Sequence, residues 1–219
     1  MLHEIDFSLL PDLSSSKIRY ALDENIVACL YKFPLVLERA ENAVRFCWFV
    51  TSLESVLSLN EPETTRLRQG FLRAALAEFV SMKDVLKQEV ESQNIQKEII
   101  SITDSKNPLL HIIHELRNFE IHLHSGELNP DKIPAKFNRK TEPEIWHDIE
   151  LSIWAIDELT TDKFSKLRNI KKYYNQNDLK KMVEWFNSAQ SQWGVHYLIF
   201  LAVEYFCDEV IHFYSLGNS

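Results

Sequence analysis

An all-α fold is predicted: an up-and-down four-helix bundle with an N-terminal arm and an insertion between the third and fourth core helices. Three features predict it. Apolar residues recur at three- and four-residue steps over four long stretches. Only four Gly and seven Pro interrupt 219 residues, too few for a many-turned β fold. With 45% hydrophobic and 11% aromatic residues, the chain can bury one sizeable core, placed at 34–219 behind an arm at 1–33.

Residues 1–33 hold no sustained period, with Pro11 and a serine run at 14–16, and read as an arm or short surface elements that carry no readable function. From Pro34 to Leu59, Val36, Ala40, Ala43, Cys47, Val50 and Leu57 share one helix face. Asn60, Glu61 and Pro62 break that helix and start a second one, running to about Asn94. Its inward positions are Phe71, Ala75, Phe79, Met82, Leu86 and Val90, with Arg68, Glu78, Lys83 and Lys87 outward. Residues 95–106 are a polar linker.

Asn107 and Pro108 then start a third helix as N-cap and first-turn residue, and Ser125 with Gly126 ends it. Leu109, Ile112, Leu116, Phe119 and Leu123 form its buried stripe, opposed by His111, His114, Asn118 and His122. In a four-helix bundle such a polar stripe cannot enter the core and must face solvent or a partner. Residues 127–176, with Pro130, Pro134 and Pro143, form the insertion, in which 145–160 fits a strand or a helix equally well. A final helix capped by Asn177 runs to about Tyr214, with Gly194 interrupting it at small cost.

Three widely spaced cysteines, Cys29, Cys47 and Cys207, argue against a disulfide framework or a thiolate metal site. The start MLHEIDFSLL lacks a basic leader region, and no apolar run reaches the ~18 residues of a membrane span. A cytoplasmic protein without membrane attachment is expected. The string from His111 to Glu115 reads H-x-x-H-E, which matches neither H-E-x-x-H nor H-x-x-E-H, so no metal and no cofactor are expected.

The net charge of −8 disfavours non-specific nucleic-acid binding, but it is unevenly spread. Between Lys163 and Lys181 seven basic residues stand against Asp178, a net of +6. Residues 129–141 carry four basic residues against Asp131, a net of +3. Phe164, Tyr173 and Tyr174 interleave aromatics with the larger basic segment, as single-strand binding surfaces do. A solvated lysine-rich loop is the plain alternative.

Arg117 and Asn118, followed by Phe119, Glu120, Ile121 and His122, spell R-N-x-x-x-H near the end of the third helix. This resembles the signature of the HEPN superfamily, whose members have a four- to five-helix up-and-down core and include many metal-independent endoribonucleases of toxin–antitoxin, phage-defence and RNA-processing systems. The resemblance covers the six-residue motif and the helix plan from about 35 to 214. It implies that His122 is the general acid/base, Arg117 the cation for phosphate charge and Asn118 the orienting group. Many toxin members carry, two residues beyond the histidine, a tyrosine that a cognate antitoxin modifies; this chain has His124 there.

The side-chain chemistry agrees with that implication. Metal-free RNA cleavage needs a base for the ribose 2′-OH, an acid for the departing 5′ oxygen, and positive charge for the transition state. Imidazole titrates near neutrality and Arg supplies a permanent fork-shaped charge. One histidine serves both proton transfers poorly, so a two-fold homodimer apposing two copies of the motif helix is expected. His124, His114, Lys166, Arg168, Lys171 and Lys172 are the further candidate RNA contacts, and an antitoxin or regulatory protein is a candidate partner. The bland reading is that the stripe is the solvated face of an amphipathic helix. The alternative function is a non-catalytic HEPN-type module binding a nucleotide or a protein.

Overall fold

The computed structural model describes residues 2–13, 21–56, 61–123, 128–139, 142–157, 159–167 and 170–214. The chain is mostly helical. α1 (Glu24–Leu30) is capped by Asp23, whose carboxylate accepts from Asn25 N at 2.9 Å. It buries Ile26 and Leu30, so the end of the N-terminal segment belongs to the core. α2 (Pro34–Val56) and α3 (Glu61–Ser92) form an antiparallel pair, with Leu35 meeting Glu89 and Val50 meeting Arg68. Of their predicted inward stripes, Val36, Ala40, Ala43, Cys47, Val50, Ala75, Phe79, Met82, Leu86 and Val90 are buried and Phe71 is half-buried against the core, while Leu57 lies outside the described residues. α3 ends where Asn94 takes a left-handed φ of 53° and Ile95 N reaches back to Val90 O, a close of the kind asparagine tolerates.

Arg68 departs from expectation. A long cation on a charged face reads as solvated, yet it is 2% exposed, its Nε donates to Val50 O at 3.0 Å, and its guanidinium lies 4.0 Å above the Trp154 ring.

α4 (Pro108–Leu123) starts as expected, with Asn107 Oδ1 accepting from Leu109 N at 2.9 Å. The insertion opens as a hairpin, β1 (Leu128–Arg139) against β2 (Glu142–Ile156), antiparallel in the register Leu128 to Ile156 and irregular between Phe137 and Arg139. This settles the strand-or-helix ambiguity at 145–156 in favour of a strand. Pro130 and Pro134 are tolerated because β1 is an edge strand. Two short helices, α5 (Thr161–Ser165) and α6 (Ile170–Tyr173), follow.

The last helix is two. α7 (Gln176–Trp193) is capped by Asn175, not Asn177, through Asp178 N at 2.8 Å, and α8 (Val195–Tyr214) follows Gly194. Gly194 has φ 79° and ψ 149°, and a Cβ there would lie 2.3 Å from the His196 ring, so this glycine ends one helix rather than interrupting it at small cost. α8 starts deep in the core, with every residue from Val195 to Phe200 buried. It packs on α1, α2, α3, α4 and α7; α3 also packs on α4, and α7 carries β2. Gln190 fixes the hairpin to α7: its Oε1 accepts from Ile156 N and its Nε2 donates to Ile156 O, both at 2.9 Å.

Candidate functional site

α4 positions the motif. Its apolar residues Leu109, Leu110, Ile112, Ile113, Leu116 and Phe119 are buried, which orients the remaining arc carrying His111, His114, Glu115, Arg117 and Asn118. That arc is not a uniformly solvated stripe, as the helix pattern suggests. At its N-terminal end it is sealed by the chain itself: His111 is fully buried, and Glu115 nearly so. Only from His114, Arg117 and Asn118, all half-buried, does it begin to open.

The seal comes from two distant segments. His3 donates its backbone N–H to Tyr173 O at 2.8 Å and sets its ring against His111, Tyr173 and Tyr174, with centroids 5.0, 5.1 and 5.3 Å away. The arm is held further by Asp6 N to Lys106 O, at 2.9 Å, and by the exposed Lys106–Glu4 ion pair. Tyr174 Oη lies 2.8 Å from His111 Nδ1 and 3.5 Å from Glu115 Oε1.

The tautomer of His111 follows from its partners. Nε2 lies 2.7 Å from Ser105 O, and a carbonyl only accepts, so Nε2 carries the proton and Nδ1 accepts from the Tyr174 hydroxyl. Burial, opposed by the Ser105 contact, lowers the His111 pKa to about 4 and leaves the ring neutral. With both nitrogens occupied, His111 has none left for a metal. Among the described residues no group of His, Cys, Asp or Glu is arranged to hold an ion.

Glu115 is the hub. Burial alone would raise its pKa, but hydrogen bonds from His114 and Asn118 and the nearby imidazoles outweigh it and hold the carboxyl below the usual range. Asn118 Nδ2 donates to Glu115 Oε2 at 3.2 Å, and Arg117 Nη1 donates to Asn118 Oδ1 at 3.3 Å. His114 Nδ1 is 3.3 Å from Glu115 Oε1. Among the described side chains, which stop at Phe119 on this helix, no carboxylate pairs with Arg117, and its Nε is buried without a hydrogen-bond partner.

The structure thus brings Arg117, Asn118 and His114 together and places His122 in the last turn of α4, one helical turn beyond Asn118. His124 and Arg168 lie outside the described residues. The basic segment is docked on the same helix at two points, Phe164 stacking on Phe119 at 5.2 Å and Tyr174 reaching His111. Lys166, Lys171 and Lys172 remain exposed, with Lys172 Nζ 5.4 Å from the Tyr173 ring. Phe164 and Tyr174 are therefore buried anchors and not stacking platforms for bases, because their rings are spent on α4. Sequence reasoning missed His3 and Ser105, and gave Tyr174 to an RNA surface rather than to His111. Glu115 alone left a signal, one turn from both His111 and Asn118.

Set against known proteins, the chain matches no family model, no curated protein and no solved structure. No helix among the described residues is long and apolar enough to cross a membrane.

Proposed function

We propose that the protein is a metal-independent endoribonuclease of the HEPN kind, cleaving single-stranded or loop RNA, with α2, α3, α4 and α8 as an HEPN-like core. Arg117 carries this reading. A half-buried guanidinium whose buried Nε has no hydrogen-bond partner and whose Nη1 has only a 3.3 Å contact to Asn118 Oδ1 is a poorly satisfied cation, and an anion such as a phosphodiester completes it. Arg117 then stabilises transition-state charge, Asn118 orients, and His122 transfers protons. A homodimer supplies the second acid/base, and toxin or phage-defence systems, with an antitoxin or regulator as partner, are the fitting context. Exposed Lys166, Lys171 and Lys172, docked beside α4, offset the unfavourable net charge of −8 for an RNA strand.

A second reading, a non-catalytic module that binds a nucleotide or a protein, is favoured by one observation. The N-terminal end of the polar arc, His111 and Glu115, is already satisfied inside the chain, as a structural network would be.

The deciding experiment is cleavage of labelled single-stranded RNA in excess EDTA by the wild type, His122→Ala and Arg117→Ala at matched oligomeric state. Cleavage that survives EDTA and falls about 100-fold or more in both variants supports the ribonuclease, since positioned proton transfer is worth that much. Absence of cleavage, or variants equal to the wild type, moves the protein to the binding module.

A further inference from the structure

We infer that Glu115 is a positioning residue that sets the Asn118 amide so that Arg117 presents its guanidinium to a phosphate; this deepens the ribonuclease reading and rests on it for the identity of the anion. The two ends of an amide face different neighbours. A carboxylate accepts and a guanidinium donates, so Asn118, lying between Glu115 Oε2 at 3.2 Å and Arg117 Nη1 at 3.3 Å, has one orientation that satisfies both. Its NH2 must turn to Glu115, which leaves Oδ1 for Arg117. Without Glu115 only the 3.3 Å contact from Arg117 opposes a flip, and the flipped state sets two donors against each other.

The arrangement also explains why an acid two residues from Arg117 does not neutralise it. The Glu115 carboxylate is turned to His114, Asn118 and Tyr174, so its influence on Arg117 passes through a neutral amide. Tyr174 Oη, which donates to the buried His111, stands 3.5 Å from the same carboxylate. The alternative role for an acid at this place is a plain counter-charge, and the two roles differ in sign. A counter-charge competes with phosphate, whereas a positioning group helps it.

The test is a titration with inorganic phosphate, followed on the 15N–1H signal of Arg117 Nε in the full chain, for the wild type, Glu115→Gln, Glu115→Ala and Asn118→Ala. Glu115→Gln keeps a carbonyl oxygen for Asn118 Nδ2 and removes the charge, so phosphate affinity is expected to stay within about threefold of the wild type. Glu115→Ala and Asn118→Ala are expected to bind about fivefold or more weakly, the scale of one net hydrogen bond. A melting curve for each variant separates misfolding, and Glu115→Gln, which retains the shape, keeps the comparison decisive should Glu115→Ala fail to fold. Unchanged or tighter binding in Glu115→Ala overturns the inference, as does Glu115→Gln binding as weakly as Asn118→Ala. Because the readout is phosphate binding, loss of the ribonuclease reading, seen as no RNA cleavage by the wild type, stays distinct from loss of this one.

Discussion

The Tyr174 hydroxyl lies 2.8 Å from His111 Nδ1, tying the end of α6 to α4 across 63 residues of chain. Burial keeps the ring neutral, and because Nε2 is committed to a carbonyl the neutral ring leaves Nδ1 to accept from that hydroxyl. Folding therefore selects the neutral ring.

A pH dependence of stability follows. Burial lowers the pKa of His111 to about 4 and that of His196 to about 3, both from 6.5. Above pH 6.5 these groups are neutral in both states and contribute no slope. As pH falls below 6.5 the unfolded chain takes up protons that the folded chain refuses, so stability drops by at most about 1.4 kcal/mol per pH unit for each group. The His111 share ends near pH 4. Urea unfolding of the wild type and His111→Asn at pH 7, 6 and 5 isolates it. The variant is expected to show a shallower loss, and equal slopes would refute the assignment.

Glu89 caps a helix it does not belong to. Its Oε1 accepts from Leu35 N at 2.8 Å and its Oε2 from Val36 N at 3.1 Å, so α3 supplies the carboxylate that the N-terminus of α2 needs. Glu89→Ala leaves one buried and one part-buried N–H group without a partner and is expected to destabilise by about 2 kcal/mol. Glu89→Gln retains one acceptor and should lose about half as much. Thermal unfolding monitored by circular dichroism reads both.

What the sequence made legible follows from the range of the interactions involved. Helix stripes such as Val36 to Val50, the Asn107 cap and the neighbours Arg117 and Asn118 depend on residues within a turn or two, and the structure contains them. Arg68 under Trp154, Glu89 capping α2, and His3 with Tyr174 sealing His111 are contacts between segments far apart, and no local period encodes them. The same limit applies to the candidate site. The motif on α4 could be read directly, whereas the aromatic residues of the basic segment read as base platforms because their partner, α4, is invisible in their own neighbourhood.

Gly194 is expected to resist substitution. Its φ of 79° is open to glycine at low energy, and a Cβ would meet His196 Cε1 at 2.3 Å and Nδ1 at 2.7 Å. Gly194→Ala therefore combines backbone strain with a clash inside the fully enclosed start of α8. A loss of about 2 kcal/mol or more is expected. An unchanged melting temperature would show that the α7–α8 break tolerates a side chain.

Lys171 and Lys172 test whether the basic rim serves RNA. They are exposed, on an element that Tyr174 fastens to α4, so their removal should leave the core intact. For a single strand each phosphate contact contributes about −0.7 to the slope of log affinity against log salt. If both lysines contact phosphates, Lys171→Ala/Lys172→Ala should reduce the magnitude of that slope by about 1.4 and weaken binding by a similar factor across sequences. Fluorescence anisotropy with a 2′-deoxy-substituted strand, which cannot be cleaved through a 2′-OH, measures this without turnover. A solvated lysine loop predicts no change of slope, and that result would remove Lys171 and Lys172 from the RNA contacts.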